Sequence, residues 1–176
     1  MIYIWEKISQ TMNERYIRIL EALATFKFLT YEQLIRLGIG KYSSNLSKDF
    51  KFLTERTKPL ASKVRKRYVT DTVKFFLTKH GKKYLIKNQN WREDEIKYVP
   101  QSNIDLKQID HVISTIDCQI GLHIACQNSD VEVLFCDTYF DKVRDNQINK
   151  KLKSKTAFLF NQKESVIKVF LTAGKT

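Results

Sequence analysis

The order of apolar and polar residues predicts two helices near the start of the chain. Residues 13–24 place apolar side chains at steps of three and four, which gives a helix one buried face. Thr30 and Gln33 then form a capping-box pattern, in which each side chain can bond to the other residue's backbone amide. The helix that they start is expected to be short, because Gly38 tolerates the left-handed backbone that ends helices.

The next segment predicts a third helix with two unlike faces. Ser43 or Ser44 is expected to cap it, since either hydroxyl can accept a hydrogen bond from the first turn. Leu46, Phe50 and Leu53 fall on one face, whereas the opposite face is polar and basic.

A basic hairpin is predicted at about residues 62–77. Residues 73–77 are rich in β-forming side chains and follow a turn signal at 70–72. Thr78 is expected to cap a further helix, in which Gly81 allows close packing. The first 90 residues therefore combine helices with a single hairpin.

The second half of the chain predicts one helix followed by strands. Residues 88–104 are polar and are expected to link two domains, with Trp91 and Tyr98 pinning the linker to a domain surface. An isoleucine-rich helix is expected at 104–126. Strands are expected at 131–135, 156–160 and 166–171, the last two joined by a turn at 161–164.

The formal charge of +12 is unevenly distributed along the chain. Residues 1–90 hold 19 Lys and Arg against 7 Asp and Glu, whereas residues 91–176 hold 12 of each class. A generally lysine-rich composition would raise the charge of both halves. The asymmetry therefore favours a polyanion-binding module joined to a neutral one.

Two motifs in the basic half resemble winged helix-turn-helix domains of the MarR and PadR type. Residues 75–85, Phe-Phe-Leu-Thr-Lys-His-Gly-Lys-Lys-Tyr-Leu, resemble the aromatic-x-Leu-Thr-x-x-Gly pattern that closes the wing in those domains. Residues 28–34, Phe-Leu-Thr-Tyr-Glu-Gln-Leu, resemble the start of their second helix. The resemblance implies a DNA-binding domain whose third helix enters the major groove and whose hairpin is a wing.

The residue types in the third helix and the hairpin suit double-stranded DNA as the partner. Asn45 and Ser44 can contact base edges, whereas lysines more often contact phosphates. Hairpin cations can follow the phosphate backbone, or an arginine can enter the minor groove. The expected DNA-binding residues are Ser43, Ser44, Asn45, Ser47, Lys48 and Lys51 in the helix and Lys63, Arg65, Lys66 and Arg67 in the hairpin.

A second resemblance covers most of the chain and concerns the plasmid replication-relaxation family. Leu106-Lys107-Gln108-Ile109-Asp110-His111, followed by Ile116-Asp117, resembles the motif that follows the winged helix in that family. The resemblance implies a role in plasmid or mobile-element replication or mobilisation, and a C-terminal region similar to a restriction-endonuclease core. Lys155-Thr156 replaces the expected Pro-Asp, and Val169-Phe170-Leu171 lacks carboxylates, so a metal would have no ligands. A degenerate, nuclease-like shell is therefore expected.

Neither catalytic chemistry nor a cofactor or metal site is predicted. The histidines His80, His111 and His123 are far apart, and there is no glycine-rich phosphate loop. The three cysteines fit no metal-site spacing and are expected to be buried, reduced thiols: Cys118, Cys126 and Cys136. No apolar run is long enough to span a bilayer, and the N-terminus lacks the pattern of a signal peptide, which predicts a cytoplasmic protein.

The sequence thus predicts an α+β protein with a winged helix-turn-helix domain at 10–90, a linker at 91–103 and a small helix-and-sheet domain at 104–176. It is expected to be a non-enzymatic, homodimeric protein that binds duplex DNA as an accessory factor of a plasmid or mobile element. The protein would act in replication, mobilisation or transcription control. A relaxase or a replication initiator would be a further partner. Two alternatives stay open: a winged helix that binds a protein partner, and a metal-dependent nuclease that uses Glu132 or Asp137.

Overall fold

The computed structural model describes residues 12–65, 68–127, 131–137, 155–162 and 165–172. They form two compact units, one ending at Asp110 and the other beginning at His111. Helices and antiparallel sheets make up these units, so the prediction of an α+β protein is confirmed. Within these residues, no helix is both long and apolar enough to cross a membrane.

The first unit combines helices with a small antiparallel sheet. β3 lies in the middle of this sheet, with β1 on one side and β2 on the other. The elements are, in chain order, α1 (Glu14–Phe26), β1 (Phe28–Leu29), α2 (Tyr31–Arg36), α3 (Ser43–Thr54), β2 (Ala61–Lys63), β3 (Phe75–Leu77) and α4 (Lys79–Asn88), then 3-10 turns at Glu93–Glu95 and Gln101–Asn103.

Local capping signals fix the ends of α2 and the start of α4, as the sequence predicted. The Gln33 amide donates to Thr30 Oγ1 at 3.3 Å, and the Thr30 amide donates to Gln33 Oε1 at 3.0 Å. Gly38 follows α2 with φ +69°, the left-handed conformation that glycine adopts at least cost. At α4, the Gly81 amide donates to Thr78 Oγ1 at 3.1 Å.

The start of α3 differs from the prediction, because neither Ser43 nor Ser44 is its capping residue. Tyr42 occupies that position in an extended conformation, and its carbonyl oxygen accepts the Leu46 amide at 3.3 Å. Leu46 packs so closely on Gly40 that a Cβ there would lie 2.8 Å from Leu46 Cγ. This packing fixes the path into the helix and outweighs the capping preference of serine.

Aromatic packing holds α3 against α2 and the sheet. The rings of Phe50 and Phe75 stack with centroids 3.6 Å apart, and Tyr31 contacts them at 5.8 and 5.0 Å. Phe50 and Phe75 are fully buried, which stabilises the fold by about 1.5–3 kcal/mol for each ring. A Cβ on Gly81 would collide with the carbonyl oxygen of Leu60, which confirms the predicted close packing of α4.

The hairpin predicted at 62–77 is present, but its strands are short. β2 and β3 pair over three residues each, and one further bond joins the Val64 amide to the Lys74 carbonyl at 2.8 Å. The turn lies at residues 68–71, earlier than the predicted 70–72, where the Asp71 amide donates to the Tyr68 carbonyl at 3.2 Å. Most of the hairpin residues that the structure describes therefore lie outside its short paired base.

Residues 91–103, expected as a linker and here called the strap, contact the helices of the first unit. Trp91 Nε1 donates to Glu21 Oε1 in α1 at 3.3 Å, which confirms that Trp91 pins the segment. The Lys97 amide donates to the Ala24 carbonyl at 2.8 Å. The strap belongs to the first unit, whose boundary falls at Asp110.

An antiparallel sheet follows the long helix of the second half. α5 (Ile109–Gln127) precedes β4 (Val131–Asp137), β5 (Lys155–Gln162) and β6 (Ser165–Thr172), and the strands pair in chain order. All three predicted strands lie within the observed ones. The likeness to a degenerate endonuclease core stays a prediction.

α5 begins at Ile109, whereas the sequence predicted that it would begin at residue 104. The side chain of Asp105 accepts the Lys107 amide at 2.8 Å, and its carbonyl oxygen accepts the Gln108 amide at 3.2 Å. These local bonds use backbone groups that a helix would need, so the helix starts only after the turn.

The cysteines of α5 are free thiols, but they are not all buried as predicted. Cys118 is exposed and Cys126 is partly exposed. Cys118 lies two residues from the buried Ile116 and Ile120, which puts it on the opposite side of the helix. The side chain of Cys136 lies outside the described residues.

Candidate nucleic-acid interface

α3 has one face in the core and one face exposed. Phe50 and Leu53 belong to the buried face, together with Leu46 and Asp49. The six residues of this helix that were predicted to bind DNA are all exposed: Ser43, Ser44, Asn45, Ser47, Lys48 and Lys51. Because the opposite face is anchored in the core, these side chains form a polar and basic surface in a fixed orientation.

Two exposed residues directly before α3 extend this surface. Lys41 Nζ lies 5.4 Å from the ring centroid of Tyr42, a cation–π contact. The first amides of a helix have no acceptor within the helix, and the helix dipole favours negative charge there. Sequence reasoning missed both residues, although their position at the start of the third helix was the available signal.

The first arm of the hairpin carries two exposed cations. Lys63 and Arg65 are exposed while Val64 between them is buried, as expected for alternating side chains. Lys66 and Arg67, which were also predicted to bind DNA, lie outside the described residues. The exposed residues of α3 and of this arm are called the α3–hairpin surface below: Ser43, Ser44, Asn45, Ser47, Lys48, Lys51, Lys63 and Arg65.

The turn and the returning arm of the hairpin differ from the first arm. The Tyr68 amide donates to Asp71 Oδ2 at 2.9 Å, and the turn exposes 64% of Tyr68 and 94% of Val69. Lys74, on the returning arm, is nearly buried and its ammonium lies 3.0 Å from a carboxylate oxygen of Asp110. The exposed cations of the hairpin that the structure describes are therefore on its first arm.

A buried carboxylate lies on the inner face of α3. Asp49 is 2% exposed, and it accepts hydrogen bonds from Arg15 Nε at 2.7 Å and Arg15 Nη2 at 2.8 Å. This hydrogen bonding raises the pKa of the Arg15 guanidinium above its usual value. Sequence reasoning missed the pair because its members are 34 residues apart. The available signal was an acidic residue on the face of Leu46 and Leu53.

Two basic residues near α4 and the strap, Lys82 and Arg92, are engaged by carboxylates. Lys82 Nζ lies 2.8 Å from Glu93 Oε1 and 5.4 Å from the ring centroid of Tyr98. The guanidinium of Arg92 donates to both carboxylate oxygens of Asp94, at 3.1 and 2.7 Å. These hydrogen bonds lower the pKa of Glu93 and raise the pKa of Arg92. The charges within each of these two pairs therefore offset each other locally.

The described residues hold no group of three or more His, Cys, Asp or Glu side chains that could bind a metal ion. His80 on α4, and His111 and His123 on α5, are each exposed. The structure does not bring the two histidines of α5 together, since they are twelve residues apart along one helix.

The chain was compared with family models, curated proteins and solved structures. None of the three comparisons finds a match.

Proposed function

We propose that residues 10–90 form a winged helix-turn-helix domain that binds double-stranded DNA. The order α1–β1–α2–α3–β2–β3 supports this proposal, because a winged helix places its hairpin directly after the third helix. The sheet order, with β3 between β1 and β2, is compatible with the same fold.

α3 is the proposed recognition helix. A helix with its side chains is about 10–12 Å wide and fits the major groove, which is about 12 Å wide. Asn45 and Ser44 would read base edges, while Lys48 and Lys51 would contact phosphates. The observation that carries the proposal is that all six predicted residues are exposed on one helix whose opposite face is part of the core.

The hairpin is the proposed wing. Lys63 and Arg65 are exposed together on its first arm, and Lys66 and Arg67 follow them in the sequence. These cations would bind the phosphate backbone beside the groove that α3 occupies, or one arginine would enter the minor groove. The net charge of residues 1–90 supports a polyanion as the ligand.

A salt titration of duplex-DNA binding by the full chain tests the proposal. Each phosphate contact contributes about −0.9 to the slope of log affinity against log salt concentration. Contacts from the lysines of α3 and the cations of the wing would give a slope of about −4 or steeper. A slope near zero would instead favour the alternative, in which the same surface binds a protein.

We further propose that the protein acts in the cytoplasm as a homodimer and that it reads symmetric half-sites. In paired helix-turn-helix proteins, such half-sites lie about 34–36 Å apart, one turn of DNA. Sedimentation of the full chain with duplexes that carry one or two selected sites measures the stoichiometry. One chain bound to a two-site duplex would contradict the dimer.

The process served is proposed to be the replication, mobilisation or transcription control of a plasmid or mobile element, with a relaxase or replication initiator as a further partner. Loss of the gene is then expected to change plasmid copy number, transfer frequency or transcript level. Unchanged values of all three would contradict this role.

The second unit is proposed to have no nuclease activity. Incubation of plasmid DNA with the full chain and Mg²⁺ or Mn²⁺ should leave the DNA intact. Nicking that disappears in Glu132→Ala or Asp137→Ala would overturn this part of the proposal and favour the metal-dependent nuclease.

A further inference from the structure

Asp49 is an unusual residue for the inner face of α3. It is buried to the same extent as its neighbours on that face, which include the fully buried Leu46, Phe50 and Leu53. Moving a carboxylate out of water is costly unless a partner compensates for it. Burial of the Asp49 carboxylate therefore requires a compensating contact. It also raises the question of what a carboxylate contributes at this position.

Arg15 supplies the compensating contact with a defined geometry. Its Nε and Nη2 atoms each donate to a different oxygen of Asp49, at 2.7 and 2.8 Å. Two parallel bonds to a planar carboxylate fix the orientation of the guanidinium as well as its distance. The backbone of Arg15 is also held, because its amide donates to Asn13 Oδ1 at 3.0 Å in the first turn of α1.

One further contact joins α1 to the same side of α3, and another lies just beyond the end of α3. Phe52 stacks on Tyr16 of α1 with ring centroids 4.7 Å apart, and the Arg56 guanidinium lies 4.8 Å from the Phe52 centroid. Asp49 and Phe52 are three residues apart and so follow one side of the helix, whereas Arg56 lies two residues beyond Thr54, the last residue of α3. The first turn of α1 therefore contacts α3 along a line and not at a single point.

We propose that Arg15 and Asp49 are positioning residues, which fix the rotation of α3 about its own axis and thereby set the base edges that Asn45 reaches. This inference rests on the proposed function. Asn45 is exposed and lies one helical turn before the buried Asp49, and a rotation of the helix about its axis moves both side chains by the same angle. A rotation of about 20° would displace a side-chain tip that lies about 6 Å from the helix axis by about 2 Å. Such a displacement would break a hydrogen bond to a base.

The Asp49 side chain is buried, whereas the Arg15 side chain is 40% exposed, so the pair is only partly buried. An apolar residue at position 49 would fill the same volume but would lack the two directional bonds. The contribution that apolar residues cannot reproduce is orientation. The role of the pair is therefore to set the orientation of α3 relative to α1.

The test compares the wild type with Arg15→Met/Asp49→Leu, using a duplex selected from a random pool by the wild-type chain and a scrambled duplex. The measured quantity is the ratio of the two dissociation constants. We expect the ratio to fall about fivefold or more in the double variant, the loss of about one base contact, while binding to the scrambled duplex changes less than about twofold. Lys82→Met/Glu93→Leu, which removes an ion pair between α4 and the strap, is the matched control and should keep the wild-type ratio.

The ratio separates positioning from stability, because a smaller folded fraction weakens binding to both duplexes equally. A double variant that keeps the wild-type ratio, or that loses affinity for both duplexes by the same factor, would overturn the inference. If the double variant does not fold, Asp49→Asn takes its place, since it keeps the volume of the side chain, and the same ratio decides.

A second measurement does not depend on DNA. Residual dipolar couplings of backbone amides give the orientation of α3 relative to α1 in the wild type and in the variant. We expect the orientation to change or its spread to widen, and unchanged couplings would overturn the inference. A wild-type chain that prefers no duplex over another would refute the proposed function itself, and the couplings would still decide whether the pair orients α3.

Discussion

The α3–hairpin surface and the strap both carry basic side chains, but they use them differently. On the α3–hairpin surface, cations such as Lys48 and Arg65 are exposed at fixed positions. Around the strap, Lys82 binds Glu93 at 2.8 Å and Arg92 binds Asp94 at 2.7 Å. Opposite charges at such distances cancel each other's field beyond a short range. Lys82 and Arg92 are therefore less available to a polyanion than Lys48 and Arg65 are.

This difference shows what a count of charges leaves out. The sequence places a net +12 in residues 1–90 without indicating which cations can meet a ligand. Lys74 illustrates the point, because it belongs to the basic hairpin but lies nearly buried beside Asp110. Only the folded chain separates the cations that stabilise the protein from those that face outward.

The largest expected effect comes from removing one lysine and one arginine from each region. Lys48→Gln/Arg65→Gln should lower affinity for duplex DNA about 10–100-fold at 0.1 M salt and reduce the magnitude of the salt slope by about 2. Lys82→Gln/Arg92→Gln removes the same two charges from the strap region, and should lower affinity only a few-fold through the general field. Fluorescence anisotropy over a range of salt concentrations measures both variants. Equal losses in the two variants would abolish the distinction between the regions.

A smaller effect is expected for specificity, and it sharpens the comparison within the α3–hairpin surface. Asn45→Ala should reduce the preference for the selected duplex over a scrambled one about fivefold, because an amide that reads a base is lost. The salt slope should stay unchanged, because no charge is removed. Asn88→Ala, at the end of α4, is the matched control and should retain the full preference. If Asn45→Ala also retains it, Asn45 reads no base.

The parts of the fold that the sequence predicted depend on residues close together in the chain. The capping box joins Thr30 to Gln33, and the cap of α4 joins Thr78 to Gly81, each over three residues. The exposed face of α3 follows from helical periodicity, which is equally local. Such signals need no knowledge of the tertiary structure.

The parts that sequence reasoning missed depend on distant partners. Asp49 is buried because Arg15, 34 residues earlier, compensates its charge. The cap of α3 shifted to Tyr42 because Leu46 packs on Gly40, a contact that outweighs the preference of serine for that position. Periodicity places a residue on a face but does not identify its partner, and the partner decides which polar groups can be buried.

The smallest expected effect tests whether the charges of the strap act only locally. Glu93→Gln removes the carboxylate that Lys82 binds at 2.8 Å. This hydrogen bond lowers the pKa of Glu93 from the usual 4.5, so the pair stabilises the folded chain above that pH and its contribution is lost as the pH falls through the lowered pKa. The wild type should therefore melt slightly above the variant at neutral pH, and the two melting temperatures should converge once the pH is below the lowered pKa. A difference that persists at low pH would mean that Glu93 stabilises the strap by something other than its charge. Tighter DNA binding by the variant at neutral pH would mean that the strap weakens the field of the α3–hairpin surface, and the two regions would then no longer be electrostatically separate.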